Sequence, residues 1–213
     1  MKVICINWCN YLGRGDEYVA KLRAAVSRNL TIPYEFVCLT EKELGIDLTG
    51  WWVKMKLAEI TGPAMYLDLD VIVTSSIDHV AKLALAGDVK LWMRDDFSYS
   101  VRNPKQGLSE KDKKMLGGDG CCNSSVMIWS GDAMRPIRES WAKDSARYMA
   151  ECHGDQNVIS QIMRGHINFM PDDSVQSYKY HWLRNGTYGP ITVCHGKPKP
   201  HELEDEWVLK HWL

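Results

Sequence analysis

Short apolar runs alternate with amphipathic stretches through the first 75 residues of the chain. Residues 3–6 (Val3, Ile4, Cys5, Ile6) are apolar, and a polar loop follows through Asn10, Gly13 and Gly15. Tyr18, Val19, Leu22, Ala25 and Val26 then recur at helical spacing, with Asp16 and Glu17 suited to the first turn. Residues 34–39 form a β-like run after Pro33, and 53–60 a helical pattern that Gly62-Pro63 ends. Ala64 to Leu67 leads through Asp68-Leu69-Asp70 into Val71-Ile72-Val73, which reads as one apolar strand of the kind buried on both faces of a parallel sheet. The order β-α-β-α-β predicts an α/β fold of Rossmann-like layers, a central and mostly parallel sheet flanked by helices.

The second part of the chain is less regular. Residues 89–93 and 125–129 read as strands, 132–149 and 155–163 as helices, and 167–170 and 191–194 as short strands. Asp155 is a candidate cap for the second of these helices. Residues 102–120 are polar and glycine-rich, which predicts a mobile loop. The tail from Pro198 to Leu213 mixes charge with Trp207 and Trp212, which would pack it back onto the domain. No repeat or linker interrupts this pattern, so one domain over 1–213 is expected, with a first part over 1–75 and a second over 76–213.

Composition narrows the function classes. With 213 residues, 45% of them hydrophobic and 25% charged, the chain can bury a core without disulfides or a structural metal. A net charge of −1 gives no sign of a nucleic-acid partner. No apolar run is long enough to span a bilayer, and residues 1–7 are too short a run for a signal peptide. Seven cysteines, an odd number with no C-x-x-C pair, fit reduced thiols and a cytoplasmic location.

The sharpest chemical feature is Asp68-Leu69-Asp70 between two apolar runs. Two carboxylates there are costly unless neutralised. On an extended segment residues i and i+2 share a side, so both could face one hard cation, Mn²⁺ or Mg²⁺. The alternative is a polar strand end satisfied by backbone amides. Further along, Cys194-His195-Gly196-Lys197-Pro198-Lys199 follows a strand. It offers an imidazole as a third metal ligand and two lysines for phosphate, or else a solvated, proline-stiffened loop. Asn123-Ser124 opens a strand and suits a polyol or a turn. Arg94-Asp95-Asp96 ends another strand, and Asp155-Gln156 could present a carboxylate and an amide to a substrate. Trp51 and Trp52, just before Lys54, read as core residues or as a stacking platform.

In this order these segments resemble the GT-A-fold glycosyltransferases, nearest to the glycogenin-like and lipopolysaccharide galactosyltransferase-like group called family 8. The matching pieces are Asp68 and Asp70, Asn123-Ser124, Asp155-Gln156, His195 with the lysine-proline pairs after it, Tyr11 in the loop after the first strand, and Lys54 upstream of D-x-D. The resemblance implies transfer of a sugar from a nucleotide-sugar donor, usually UDP-linked, to an unknown acceptor, with retention and with Mn²⁺. It implies that Asp68, Asp70 and His195 hold the metal and that Lys199 or Lys197 meets the phosphates. Asn7 and Tyr11 would lie near the base, Arg94, Asp95 and Asn123 near the donor sugar, and Asp155 and Gln156 near the anomeric carbon, Asp155 as nucleophile or as electrostatic stabiliser. The chain departs from the family pattern His-x-x-Gly-x-x-Lys-Pro, since Gly196 follows His195 directly and Lys199 comes two positions early. It also has Asn-Ser-Ser where the family has Asn-Ser-Gly.

Two other readings start from the same residues. A D-x-D followed by valine resembles the nucleophile motif of HAD phosphatases, which are Mg²⁺-dependent, although that motif sits on a first strand. A non-catalytic sugar-nucleotide-binding module would keep the same ligands without turnover.

Overall fold

The computed structural model describes residues 1–45, 47–97, 122–171 and 173–213. The predicted loop over 102–120 and Cys121 lie outside them. A six-stranded sheet carries the domain, in the order β2-β1-β3-β6-β5-β7. Its strands are β1 (Lys2–Ile6), β2 (Glu35–Leu39), β3 (Ala64–Leu67), β5 (Leu91–Asp95), β6 (Cys122–Trp129) and β7 (Ile167–Phe169). β1 pairs in parallel with β2 and β3, and β5 with β7; β6 runs antiparallel between β3 and β5. The α/β class is as the pattern predicts, and the antiparallel β6 makes the sheet mixed.

Strict alternation explains why the central strands read as unbroken apolar runs. Val3 and Cys5 of β1, Met65 and Leu67 of β3, and Val126 and Ile128 of β6 face one layer, which helix α1 (Gly15–Asn29) covers with Tyr18, Leu22 and Val26. Ile4 and Ile6, Ala64 and Tyr66, and Met127 and Trp129 face the other. That layer is closed by the 3-10 stretch Gly50–Glu59 and by residues of two helices beyond β6. The short helices α2 (Glu41–Leu44) and α3 (Asp78–Ala81) lie between strands, and the two longer ones are α4 (Arg135–Glu151) and α5 (Asp155–Ile162). Helical spacing at 53–60 thus marks a 3-10 stretch with Val53, Met55, Leu57 and Ala58 buried, and no α-helix.

The main correction concerns the acidic motif. Asp68-Leu69-Asp70 is not embedded in one strand. β3 ends at Leu67, and β4 (Val71–Val73) belongs to a second, three-stranded sheet of order β4-β9-β8, with β8 (Val175–Ser177) and β9 (Ile191–Val193). β4 runs antiparallel to β9 rather than within a parallel sheet. The backbone N–H of Asp68 still donates to Ser125 O at 2.8 Å, extending the β3–β6 pairing, while Asp70 O accepts from Cys194 N at 3.0 Å and opens the β4–β9 pairing. The motif is the step between two sheets, and Leu69 stays buried between its two carboxylates.

Beyond β8 come the π-helical turn Tyr178–Trp182 and the short helix α6 (Leu183–Asn185), neither of which the hydrophobic pattern reveals. The chain ends in helix α7 (Glu206–His211), where Trp207 is buried against Tyr178 and Val208. Trp212 packs edge-on against Tyr18 of α1 at 5.2 Å between ring centroids. Both tryptophans therefore fix the tail as their spacing suggests. Among the described residues no helix is long and apolar enough to cross a membrane.

Candidate active site

Two adjoining cavities open at the carboxyl ends of β1 and β3, where open α/β sheets present their ligand crevice. Trp51, Lys54, Asp68 and Asp70 line both. The first, of about 300 Å³, is apolar and aromatic, walled by Ile6, Trp8, Tyr11 and Tyr66. The second, of about 380 Å³, is polar. Asp68, Asp70, Asp96 and Asp155 line it against a single lysine, Lys54, among the described residues.

The loop after β1 is bent to bring Tyr11 into the first cavity. Cys9, Asn10 and Leu12 all take positive φ (49°, 48° and 56°). Non-glycine residues there cost of order 1–3 kcal/mol each and persist where the surroundings impose them. Asn7 imposes part of this: its Oδ1 accepts from Tyr11 N at 3.1 Å, and a Cβ on Gly15 would lie 2.0 Å from that oxygen. Asn7, expected near the base, is thus a buried brace for the loop and lines neither cavity. The Tyr11 hydroxyl donates to Asp70 Oδ2 at 3.0 Å. Burial, and after it the charge of Asp70, pushes the Tyr11 pKa up, so the hydroxyl remains a donor.

Each carboxylate of the motif has its own lysine. Lys54 Nζ lies 2.7 Å from Asp68 Oδ1, and Tyr66 donates its hydroxyl to the same oxygen at 2.6 Å. Burial works against the Lys54 ammonium, but Asp68 and Asp155 outweigh it and hold its pKa above the usual value. Lys199 pairs with Asp70. Burial, and next the charge of Asp68, raises the Asp70 pKa against the pull of Lys199. Of the two lysines after His195, Lys199 is therefore the one held against the acidic motif. Lys197 is 86% exposed and reaches Glu202 only at 4.0 Å. Lys197→Ala is expected to leave the melting temperature within about 1 °C, as for most exposed charges, and Lys199→Ala, which leaves the Asp70 carboxylate without its lysine, to lower it by several degrees; thermal melts of both variants check this.

His195 lines the polar cavity between the rings of Phe97 and Tyr180, at 5.8 and 5.6 Å, with Ser177 Oγ 2.8 Å from its Nε2. Burial, then Lys179, lowers its pKa to about 4, so the imidazole is neutral at neutral pH. The expected three-ligand set is not preassembled. Among the described residues no three His, Cys, Asp or Glu side chains are gathered closely enough to hold an ion. The reason is visible in the pairings, since Asp68 and Asp70 point to their lysines and His195 to Ser177.

Asn123 and Ser124 line the polar cavity from β6, and Asn123 Oδ1 is turned back onto Ser125 N at 3.0 Å. Arg94 and Asp95 do not line it. A register shift between Met93 and Arg94 re-aims the end of β5. Arg94 becomes buried, donates from Nε to Val175 O at 3.2 Å and pairs with Asp95. Asp96 takes the place on the cavity wall, where Gln156 Nε2 donates to its Oδ2 at 3.4 Å. Asp96 stands in the same charged triplet, just past the register shift, and is its one member on the cavity wall.

Asp155 does not cap α5. Gly154 holds the cap position, with its N–H donating to Asn157 Oδ1 at 3.1 Å, and Asp155 is the first helical residue. A carboxylate there is favoured by the helix dipole. Asp155 is 5% exposed, and its Oδ2 has no hydrogen-bond partner among the described residues. Burial raises its pKa, while Lys54 and a hydrogen bond from Ser124 act against the rise.

No protein-family model and no curated protein sequence matches the chain. Solved structures do. An active-site glutamine-to-glutamate mutant of LgtC superposes with a TM-score of 0.65 at 14% identity, over 94% of this chain and 89% of the other. The glycosyltransferase GlyE of Streptococcus pneumoniae TIGR4 gives 0.64 at 14% identity, over 99% of this chain and 60% of that one. A glycosyltransferase involved in glycosylation of the major capsid of PBCV-1 gives 0.60 at 11% identity, over 98% of both chains. A mixed sheet whose β3 ends in the acidic step, in an architecture shared with these proteins, gives this chain the GT-A glycosyltransferase fold.

Proposed function

We propose that this protein is a metal-dependent glycosyltransferase that moves a sugar from a nucleoside-diphosphate donor, in the first instance a UDP-sugar, to an acceptor hydroxyl with retention of configuration. One observation carries the reading: an aromatic cavity fit for a base adjoins a polar, acid-walled cavity fit for a sugar, and Asp68 and Asp70 stand on the wall between them. Four carboxylates against Lys54 on the cavity wall and Lys199 behind Asp70 would repel a diphosphate unless a cation neutralised them. That donor set suits a hard divalent ion. Asp68 and Asp70, with the neutral imidazole of His195 on the same cavity, would hold Mn²⁺ or Mg²⁺. The ion would supply Lewis acidity that stabilises the departing nucleoside diphosphate.

This chain's own residues do the rest. Trp8 and Tyr11 offer ring surface to the base, and Lys199 offers a point charge beside Asp70 for phosphate oxygens. Asp155 puts negative charge in the cavity where the sugar carbon becomes electron-poor as its bond to phosphate breaks. Gln156, the glutamine on this wall, is held by Asp96; in LgtC a glutamine is an active-site residue by the description of its mutant.

Thermal melts against nucleoside diphosphates, with Mn²⁺, with Mg²⁺ and with chelator, test the reading. At about 100 times its Kd a ligand stabilises by about 2.7 kcal/mol, which for a chain of this size is a rise of roughly 5–10 °C. The rise is expected with one nucleoside diphosphate and only with the metal. No rise with any nucleotide, together with hydrolysis of a generic phosphoester, would replace the transferase by a phosphatase.

A further inference from the structure

Trp51 stands on the rim shared by the two cavities and is 51% exposed, whereas Trp52, the next residue, stacks on Trp141 within the core at 5.8 Å. The exposed indole has a built seat. Its ring lies 5.5 Å from that of His153, tilted by 32°. A Cβ on Gly154 would lie 3.1 Å from the indole Cδ1 and Nε1. The Gly154 backbone is extended (φ −169°), a conformation open to any residue. Glycine there serves the closeness of Trp51.

Such an arrangement keeps a large apolar ring at the water boundary, against the glycine that directly precedes Asp155 in the chain. The first cavity already offers a base the rings of Trp8 and Tyr11, and the donor sugar would be enclosed by Asn123, Asp155 and Gln156. The remaining partner in a transfer must arrive from solvent, across the rim. A pyranose has an apolar C–H face that packs on an aromatic ring, and hydroxyls that polar groups beyond the rim, such as Asp96, can meet. Resting on the proposed glycosyl transfer, we infer that Trp51, seated on His153 and Gly154, is the stacking platform for a carbohydrate acceptor and a determinant of acceptor specificity.

The test needs no donor. Saturation-transfer NMR of the full chain with a panel of methyl pyranosides and lactose reads acceptor binding, and calorimetry with UDP and Mn²⁺ reads the nucleotide site. The wild type is expected to bind at least one glycoside through its C–H protons. Trp51→Ala should weaken that binding by about tenfold, equivalent to about 1.4 kcal/mol, and weaken UDP binding by clearly less; Trp51→Phe should keep most of it. Gly154→Ala, which crowds the indole without removing it, should fall between. Glycoside binding equal in Trp51→Ala and wild type overturns the inference, as does a wild type that binds none of the panel. A UDP affinity that falls in Trp51→Ala as far as glycoside affinity, or further, would give the ring to the base instead. A wild type that binds glycoside but no nucleotide would sink the transferase reading and leave the platform standing.

Discussion

Replacing Asp155 by asparagine is expected to leave UDP binding intact, to cut turnover by a hundredfold or more, and to raise the melting temperature. The two effects have one cause. Asp155 is buried, and one carboxylate oxygen has no partner, so its charge costs the fold free energy in the absence of substrate. An amide removes that charge at nearly the same shape. The gain, reduced by the lost attraction to Lys54, is about 1 kcal/mol, or roughly 2–4 °C for a chain of this length. The same charge is what an electron-poor sugar carbon would use, and losing one preorganised group of this kind costs about 10²–10³ in rate.

The pH dependence has a definite sign. The folded protein raises the Asp155 pKa, so the fold favours the protonated form. The stabilisation from that preference is fully present below the unfolded value of about 3.9 and is lost as pH rises through the folded value. The advantage of Asp155→Asn should therefore be seen at neutral pH and vanish near about pH 4. If ionised Asp155 is required, the acid limb of activity should lie above the ordinary aspartate range. Melts and donor-hydrolysis rates of both proteins across pH measure all of this. An asparagine variant that melts lower at neutral pH and turns over normally would remove Asp155 from the chemistry.

Asp70 should show the converse, with loss of both binding and stability, depending on the replacement. Asp70→Asn is expected to weaken metal-dependent UDP binding by a hundredfold or more, because a carboxylate of the cavity wall is gone. Asp70→Ala should do the same and also strand the Lys199 ammonium, which is mostly buried against it. Removing one partner of a buried pair costs about 3–5 kcal/mol, enough to lower the melting temperature by about 10 °C. Asp70→Ala combined with Lys199→Met should recover much of the stability and none of the binding. A double variant no more stable than Asp70→Ala would mean that the pair does not govern the loss. UDP binding that stays metal-dependent in Asp70→Asn would remove Asp70 from the site.

The legible part of the site was the part that local pattern controls. Asp68, Asp70, Asn123, Ser124, Asp155, Gln156, Tyr11, His195 and Lys199 reach the cavities or their lysine–carboxylate pairs from at or beside a strand end, a helix start or a loop bend that period and punctuation mark, and Lys54 reaches them from the middle of the 3-10 stretch Gly50–Glu59. Arg94 and Asp95 do not line the cavity, next to a break in the β5–β6 register where the partner steps from Met127 to Asn123 between Met93 and Arg94, and such an irregularity leaves no trace in hydrophobic alternation. Asn7 lines neither cavity and braces a positive-φ loop against Gly15, a contact made only once α1 folds back. Lys197 and Lys199 were indistinguishable in sequence, two lysines each before a proline, until the chain path pointed one at Asp70 and the other into water.

The sequence by itself determined the α/β layering and the order of the main strands and longer helices, because burying both faces of a sheet demands apolar runs and burying one face of a helix demands a 3.6-residue period. Only the tertiary structure decided that Asp68 and Asp70 straddle two sheets, that each is held by its own lysine, that Asp96 replaces its neighbours on the cavity wall, and that Trp51 rather than Trp52 stands at the rim. Those facts depend on strand register and on side chains far apart in the chain, and periodicity carries no information about either.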